Sequence, residues 1–71
     1  MVEKTNIHGF PVHYEKNAYE GISYLRDDLD LEEARVFFDQ AKLKGFAKFE
    51  DDEDRQYTLF YRQGIYILTR R

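Results

Sequence analysis

The segment from Asp30 to Gly45 constrains the fold most, because it carries both a start and a stop signal for one helix. Asp30 and Glu33 form the pattern of a capping box, in which each side chain accepts a hydrogen bond from the other residue's backbone. Gly45 supplies the left-handed position at which many helices end. The sequence therefore predicts a helix over residues 31–44.

The helical period predicts which side of this helix is buried. At about 100° per residue, a group of apolar side chains falls within one sector of the helix surface. This predicted buried stripe consists of Leu31, Ala34, Phe37, Phe38 and Ala41. Val36 and Leu43 lie on a different side, where they would either touch a peripheral strand or form an exposed apolar seam.

The residues after Gly45 alternate between apolar and polar side chains, which is typical of strands. Strands are predicted at residues 46–49, 56–62 and 65–69. Gln63 and Gly64 form a two-residue turn signal between the last two strands. This turn would place Tyr61 opposite Tyr66.

The alternation gives these three strands two apolar faces. One face, called the tyrosine face below, comprises Tyr57, Leu59, Tyr61, Tyr66 and Leu68, with Phe46 assigned to the same side. The other comprises Phe60, Ile65 and Ile67, with Ala47 and Phe49. We expect the helix to cover the second face, which would leave the tyrosine face for the N-terminal segment or for another molecule.

The first 28 residues allow two interpretations. Residues 6–14 are expected to be extended, with an interruption at Gly9-Phe10-Pro11 because proline cannot donate to a strand ladder. Residues 18–26 could form a second strand, which Gly21 and the aromatic neighbours favour. Alternatively, Asn17 could cap a short helix there, with Ala18, Ile22 and Leu25 on one side. The preferred architecture is an α+β fold of the order ββ-α-βββ with one helix on an antiparallel sheet, and the alternative replaces the second strand with the short helix.

Length and composition predict a single domain over residues 1–71 with a thin core. The chain has no cysteine, no apolar run long enough for a membrane helix and no hydrophobic leader. We therefore expect a soluble, cytoplasmic protein that does not associate with membranes.

No pattern in the chain predicts catalysis, a cofactor or a metal. His8, His13 and Glu15 lack the spacing of a metal site, and the acidic tract at residues 50–54 lacks the glycine and distant glutamate of a calcium loop. We expect that tract in a solvated turn. Residues 44–47 match the opening of the RNA-recognition pattern K/R-G-F/Y-G/A, but the aromatic positions that follow are not kept, so membership of that family is not inferred.

The tyrosine face is the feature that points to a function. Tyrosine and leucine together form the rigid, apolar, hydroxyl-tipped surface that is favoured at interfaces. We expect a non-catalytic interaction module that binds another protein, or a second copy of itself, through this face. The alternative is binding of single-stranded nucleic acid to the same face, with phosphates contacted by Lys48, Arg55, Arg62, Arg70 and Arg71. Nucleic acid is the less expected partner, because the basic residues are scattered and the net charge is −3.

Overall fold

One five-stranded sheet organises the chain, and the helices pack on one side of it. The computed structural model describes residues 2–71. Along the chain, the elements are β1 (Val2–Ile7), β2 (Phe10–Glu15), a 3-10 turn (Lys16–Ala18), α1 (Tyr19–Ser23), a π-helical turn (Tyr24–Asp28), α2 (Leu31–Lys44), β3 (Phe46–Glu50), β4 (Gln56–Arg62) and β5 (Ile65–Arg70). The strand order is β1-β2-β5-β4-β3, with β2 and β5 parallel and every other neighbouring pair antiparallel. The predicted α+β class is confirmed, although the sheet is mixed and not wholly antiparallel.

Helix α2 forms between the two signals that predict it. The Glu33 N–H donates to Asp30 Oδ1 at 2.9 Å, and the Asp30 N–H donates to Glu33 Oε1 at 3.1 Å. Gly45 ends the helix with φ of 93°. In the predicted stripe, Ala34, Phe38 and Ala41 are buried and Phe37 is half-buried, but Leu31 is exposed, so burial begins one turn later than predicted. Val36 and Leu43 are exposed.

Residues 18–26 are helical, so the strand that the sequence favoured there is wrong and the short-helix alternative is right. Ala18, Ile22 and Leu25 are all buried. Gly21 permits close packing, since a Cβ at this position would lie 2.9 Å from two ring carbons of Tyr57. Asn17 does not cap this helix with its side chain. The second strand of the fold is instead Phe10–Glu15.

Both tight hairpins turn through two residues with positive φ. Gln63 and Gly64 have φ of 52° and 83°, and the predicted pairing of Tyr61 with Tyr66 is confirmed. The β1–β2 hairpin turns at His8 and Gly9, with φ of 51° and 92°. Two successive positive φ values match the right-handed twist of the flanking strands.

The register of β3 decides which face of the sheet is covered. Ala47 pairs with Leu59 and Phe49 with Tyr57, so Ala47 and Phe49 lie on the tyrosine face. Helix α2 packs there too, because Phe38 stacks on Phe10 at 4.4 Å and meets Tyr66 edge-on at 4.8 Å between ring centroids. The predicted placement of this helix on the face of Phe49, Phe60, Ile65 and Ile67 is therefore wrong.

Candidate functional site: the open face of the sheet

The tyrosine face is the hydrophobic core of the protein. Tyr57, Leu59 and Leu68 are fully buried, Tyr66 is nearly so, and Tyr61 is half-buried. A partner could reach Tyr57, Leu59, Tyr66 and Leu68 only if the helices left the sheet, whereas Tyr61 is partly accessible. The structure thus brings the five predicted partner-binding residues together, but it places them where the chain itself covers them.

The hydroxyl group of the buried Tyr57 finds its hydrogen-bond acceptor in Asp51, at the start of the acidic turn. The Tyr57 hydroxyl donates to Asp51 Oδ2 at 3.0 Å, and Arg55 Nε donates to the same oxygen at 2.7 Å. Asp51 Oδ1 accepts from the backbone N–H groups of Glu53 and Arg55 at 2.9 and 3.0 Å. Burial raises the pKa of the Asp51 carboxyl, but these hydrogen bonds outweigh burial and bring that pKa to about 2. Asp51 is therefore a buried structural anchor, contrary to the expectation of a wholly solvated tract.

The opposite side of the sheet, called the open face below, carries the exposed aromatic residues. The strand pairings place one side chain from each strand in a line across this face. This central row consists of Lys4, His13, Ile67, Phe60 and Phe46. The row runs from the β1 edge of the sheet to the β3 edge.

Phe46 and Phe60 are directly opposite each other on neighbouring strands. They are 44% and 42% exposed, respectively, although phenylalanine is among the residues most often buried. The Lys48 ammonium lies 5.9 Å from the centroid of the Phe46 ring. Beside Phe60 is a shallow cavity of about 300 Å³, which is lined by Gly45, Phe60, Tyr61, Arg62 and Ile67. The open face thus offers two aromatic rings, an adjoining hollow and nearby cations.

Charge is distributed unequally between the two sides of the molecule. Within residues 2–71, strand alternation directs Lys4, Lys48 and Arg62 to the open face together with only two acidic residues, Glu15 and Glu50. The other acidic side chains belong to the helices, the turns or the covered side of the sheet. The molecule is 20 Å across its shortest dimension, which exceeds the screening length of ~8 Å at physiological salt. The open face therefore carries one more positive than negative charge, whereas the whole chain has a net charge of −3.

The two histidines lie apart and have different surroundings. His8 Nε2 is 3.1 Å from the carbonyl oxygens of both Leu25 and Leu29, so it is placed to donate to them and joins the β1–β2 turn to the end of the π-helical turn. His13 lies in the central row. In the described part of the chain, no three histidine, aspartate or glutamate side chains are grouped so that they could hold a metal ion.

No helix among residues 2–71 is long and apolar enough to cross a membrane.

Comparison with known proteins gives no match to any protein family, curated protein or solved structure.

Phe46 and Phe60 are the site residues that sequence reasoning missed. Whether Phe46 and Phe60 lie on the same face depends on the length of the β3–β4 connection. Asp51 is the residue that indicates this length. An aspartate that accepts backbone N–H groups two and four residues later closes a compact turn. Had that turn been recognised, counting outward from it would have paired Phe46 with Phe60.

Proposed function

We propose that this protein is a small non-catalytic interaction module that binds single-stranded nucleic acid on the open face of its sheet. One observation carries the proposal: Phe46 and Phe60 lie exposed side by side among basic residues, on the side of the sheet opposite the helices. Exposed sheet aromatics with neighbouring cations suit unpaired bases and their phosphates.

Each group on this face has a defined role in such binding. Phe46 and Phe60 offer flat surfaces on which two successive bases stack, an interaction worth ~1–3 kcal/mol per base. Lys48 and Arg62 lie beside the two rings and contact the phosphates. The cavity next to Phe60 has a volume of about 300 Å³, at the lower end of the ~300–1,000 Å³ typical of ligand pockets. It can accept the edge of a planar base.

Charge favours nucleic acid over a second copy of this chain as the occupant. Two copies that met face to face would bury three cations from each copy, Lys4, Lys48 and Arg62, against only Glu15 and Glu50 among the described acidic residues. A polyanion, in contrast, complements these cations. It would also avoid the acidic surface on the helix side.

The test replaces both rings while keeping apolar volume. The double variant Phe46→Leu with Phe60→Leu should fold like the parent, since leucine fills most of the same space. Its affinity for a fluorescein-labelled oligouridine, measured by fluorescence anisotropy, should fall at least about tenfold, because base stacking is lost. The matched control is Val36→Ser with Leu43→Ser, which changes two exposed apolar residues on helix α2 and should leave the affinity unchanged.

A second measurement separates nucleic acid from a protein partner. In the variant Lys48→Gln with Arg62→Gln, the negative slope of log affinity against log salt should become less steep by about 1.4, or ~0.7 per cation removed. Lys42→Gln with Lys44→Gln serves as the control on helix α2. Failure of the parent to bind any single-stranded probe would refute the proposal. If no oligonucleotide bound, and sedimentation showed a dimer that persisted in the double leucine variant, the open face would be assigned to protein association instead.

A further inference from the structure

We infer that a bound nucleic-acid strand crosses the sheet along the central row, from Phe46 on one edge to His13 and Lys4 near the other, with a footprint of about four nucleotides. This inference rests on the proposed function and deepens it, because it assigns a path and a length to the ligand. It also adds two residues, His13 and Lys4, to the two phenylalanines and the cations beside them.

The strand register supports a path across the sheet. Phe46 pairs with Phe60, Phe60 with Ile67, Ile67 with His13, and His13 with Lys4, so the row is continuous over all five strands. Neighbouring strands are ~4.8 Å apart, and four such steps span ~19 Å. Stacking positions on Phe46, Phe60 and His13, with Ile67 as an apolar contact between them, give places for about four bases.

His13 and Lys4 supply suitable chemistry at the far end of the row. Histidine is one of the aromatic side chains on which unpaired bases stack. His13 is only partly buried, and Lys4, opposite it on the edge strand β1, is exposed. A base on the imidazole would therefore have a cation within reach of its phosphate.

A path along the strands toward residue 50 is unfavourable. A chain that ran along β3 and β4 away from Phe60 would meet Glu50 and then the acidic turn at residues 51–54. Like-charge repulsion between phosphates and these carboxylates opposes that direction. In the direction across the strands, the row meets no carboxylate before it reaches Lys4.

The experiment measures anisotropy for a series of labelled oligouridines that increase from two to eight nucleotides. For the parent protein, affinity should rise until the probe has about four nucleotides and then increase only slowly, at the lower end of the range of site sizes known for single-strand binding folds. In the variant His13→Ala with Lys4→Gln, affinity for the longer probes should fall at least about fivefold, while the two-nucleotide probe should bind as it does to the parent. Lys42→Gln is the charge control and should leave the whole series unchanged.

Two results would overturn the path and leave the proposed function standing. One is a parent protein that binds two- and eight-nucleotide probes equally tightly, with binding still lost in the double leucine variant. The other is equal loss for short and long probes in the His13 and Lys4 variant, which would indicate a general effect on the sheet. Absence of binding to every probe would instead refute the proposed function itself.

Discussion

Replacement of Asp51 by asparagine tests the account of how this small core is held together. The side-chain oxygen of the introduced asparagine can still accept from the backbone N–H groups of Glu53 and Arg55. However, its amide nitrogen is a donor, and it replaces the oxygen that accepts from Arg55 Nε at 2.7 Å and from the Tyr57 hydroxyl at 3.0 Å. Arg55 Nε and the Tyr57 hydroxyl, both donors, would then face the amide N–H groups of the asparagine, which are also donors. This occurs in a site where Asp51 is only 8% exposed.

The expected cost follows from the pKa of the carboxyl group. Hydrogen bonding lowers the pKa of Asp51 from 3.8 to about 2, and at ~1.4 kcal/mol per pKa unit this corresponds to about 2 kcal/mol of stability at pH 7. Because the pKa is lower in the folded state, this contribution is complete above about pH 5. It is lost as the pH falls through 3.8 toward 2. Because the buried Tyr57 hydroxyl also loses its acceptor, we expect Asp51→Asn to lower the free energy of unfolding by about 2–4 kcal/mol at pH 7.

The assay is urea denaturation followed by far-ultraviolet circular dichroism at a series of pH values from 7 to 2. The difference in unfolding free energy between the parent and Asp51→Asn should shrink by about 2 kcal/mol across that range, with most of the change below pH 4. Asp54→Asn is the matched control, because Asp54 is exposed and its positive φ of 62° is readily adopted by asparagine. Parallel pH curves for the parent and Asp51→Asn would refute the assignment of this stability to the Asp51 carboxylate.

Three other substitutions test the packing by the same denaturation assay. Gly21→Ala should destabilise the protein by about 1–3 kcal/mol despite the better helix propensity of alanine, because the new Cβ would lie 2.9 Å from the Tyr57 ring; unchanged stability would show that the ring can move aside. Phe38→Ala should cost about 3–5 kcal/mol, since it removes a fully buried ring, and a loss below ~1 kcal/mol would contradict the packing of helix α2. Asp30→Ala should cost about 1 kcal/mol through loss of the helix cap, and Glu32→Ala, in the same first turn but without that bond, is its comparison.

Helix α2 and the β4–β5 hairpin could be predicted from the sequence because their determinants are local. Asp30, Glu33 and Gly45 act within a few residues of the helix ends, and Gln63-Gly64 determines the register of its hairpin directly. Each signal is a short-range hydrogen bond or a backbone conformation, so neighbouring residues are sufficient to reveal it.

The helical segment at residues 18–26 could not be predicted in the same way. Gly21 has a low helix propensity, which favoured the strand prediction. In the structure, Gly21 allows α1 to approach the ring of Tyr57, a residue 36 positions later in the chain. A tertiary contact thus outweighs the local preference. The β1–β2 turn was missed for a related reason, since positive φ is uncommon for any residue other than glycine, and the His8 ring is held by the distant carbonyl groups of Leu25 and Leu29.

The placement of the candidate site depends on a single residue of register. Because strand side chains alternate, shifting β3 by one residue relative to β4 exchanges Phe46 with Ala47 between the two faces. In the observed register, Ala47 and Phe49 lie in the core, and Phe46 lies beside Phe60 on the open face. Helix α2 packs closely on the sheet, and alanine at residue 47 is small enough to fit beneath it, whereas phenylalanine at that position would not be. The packing that stabilises the covered face therefore also requires Phe46 to lie on the open face beside Phe60, and its exposure is a consequence of the fold as well as a basis of the proposed binding.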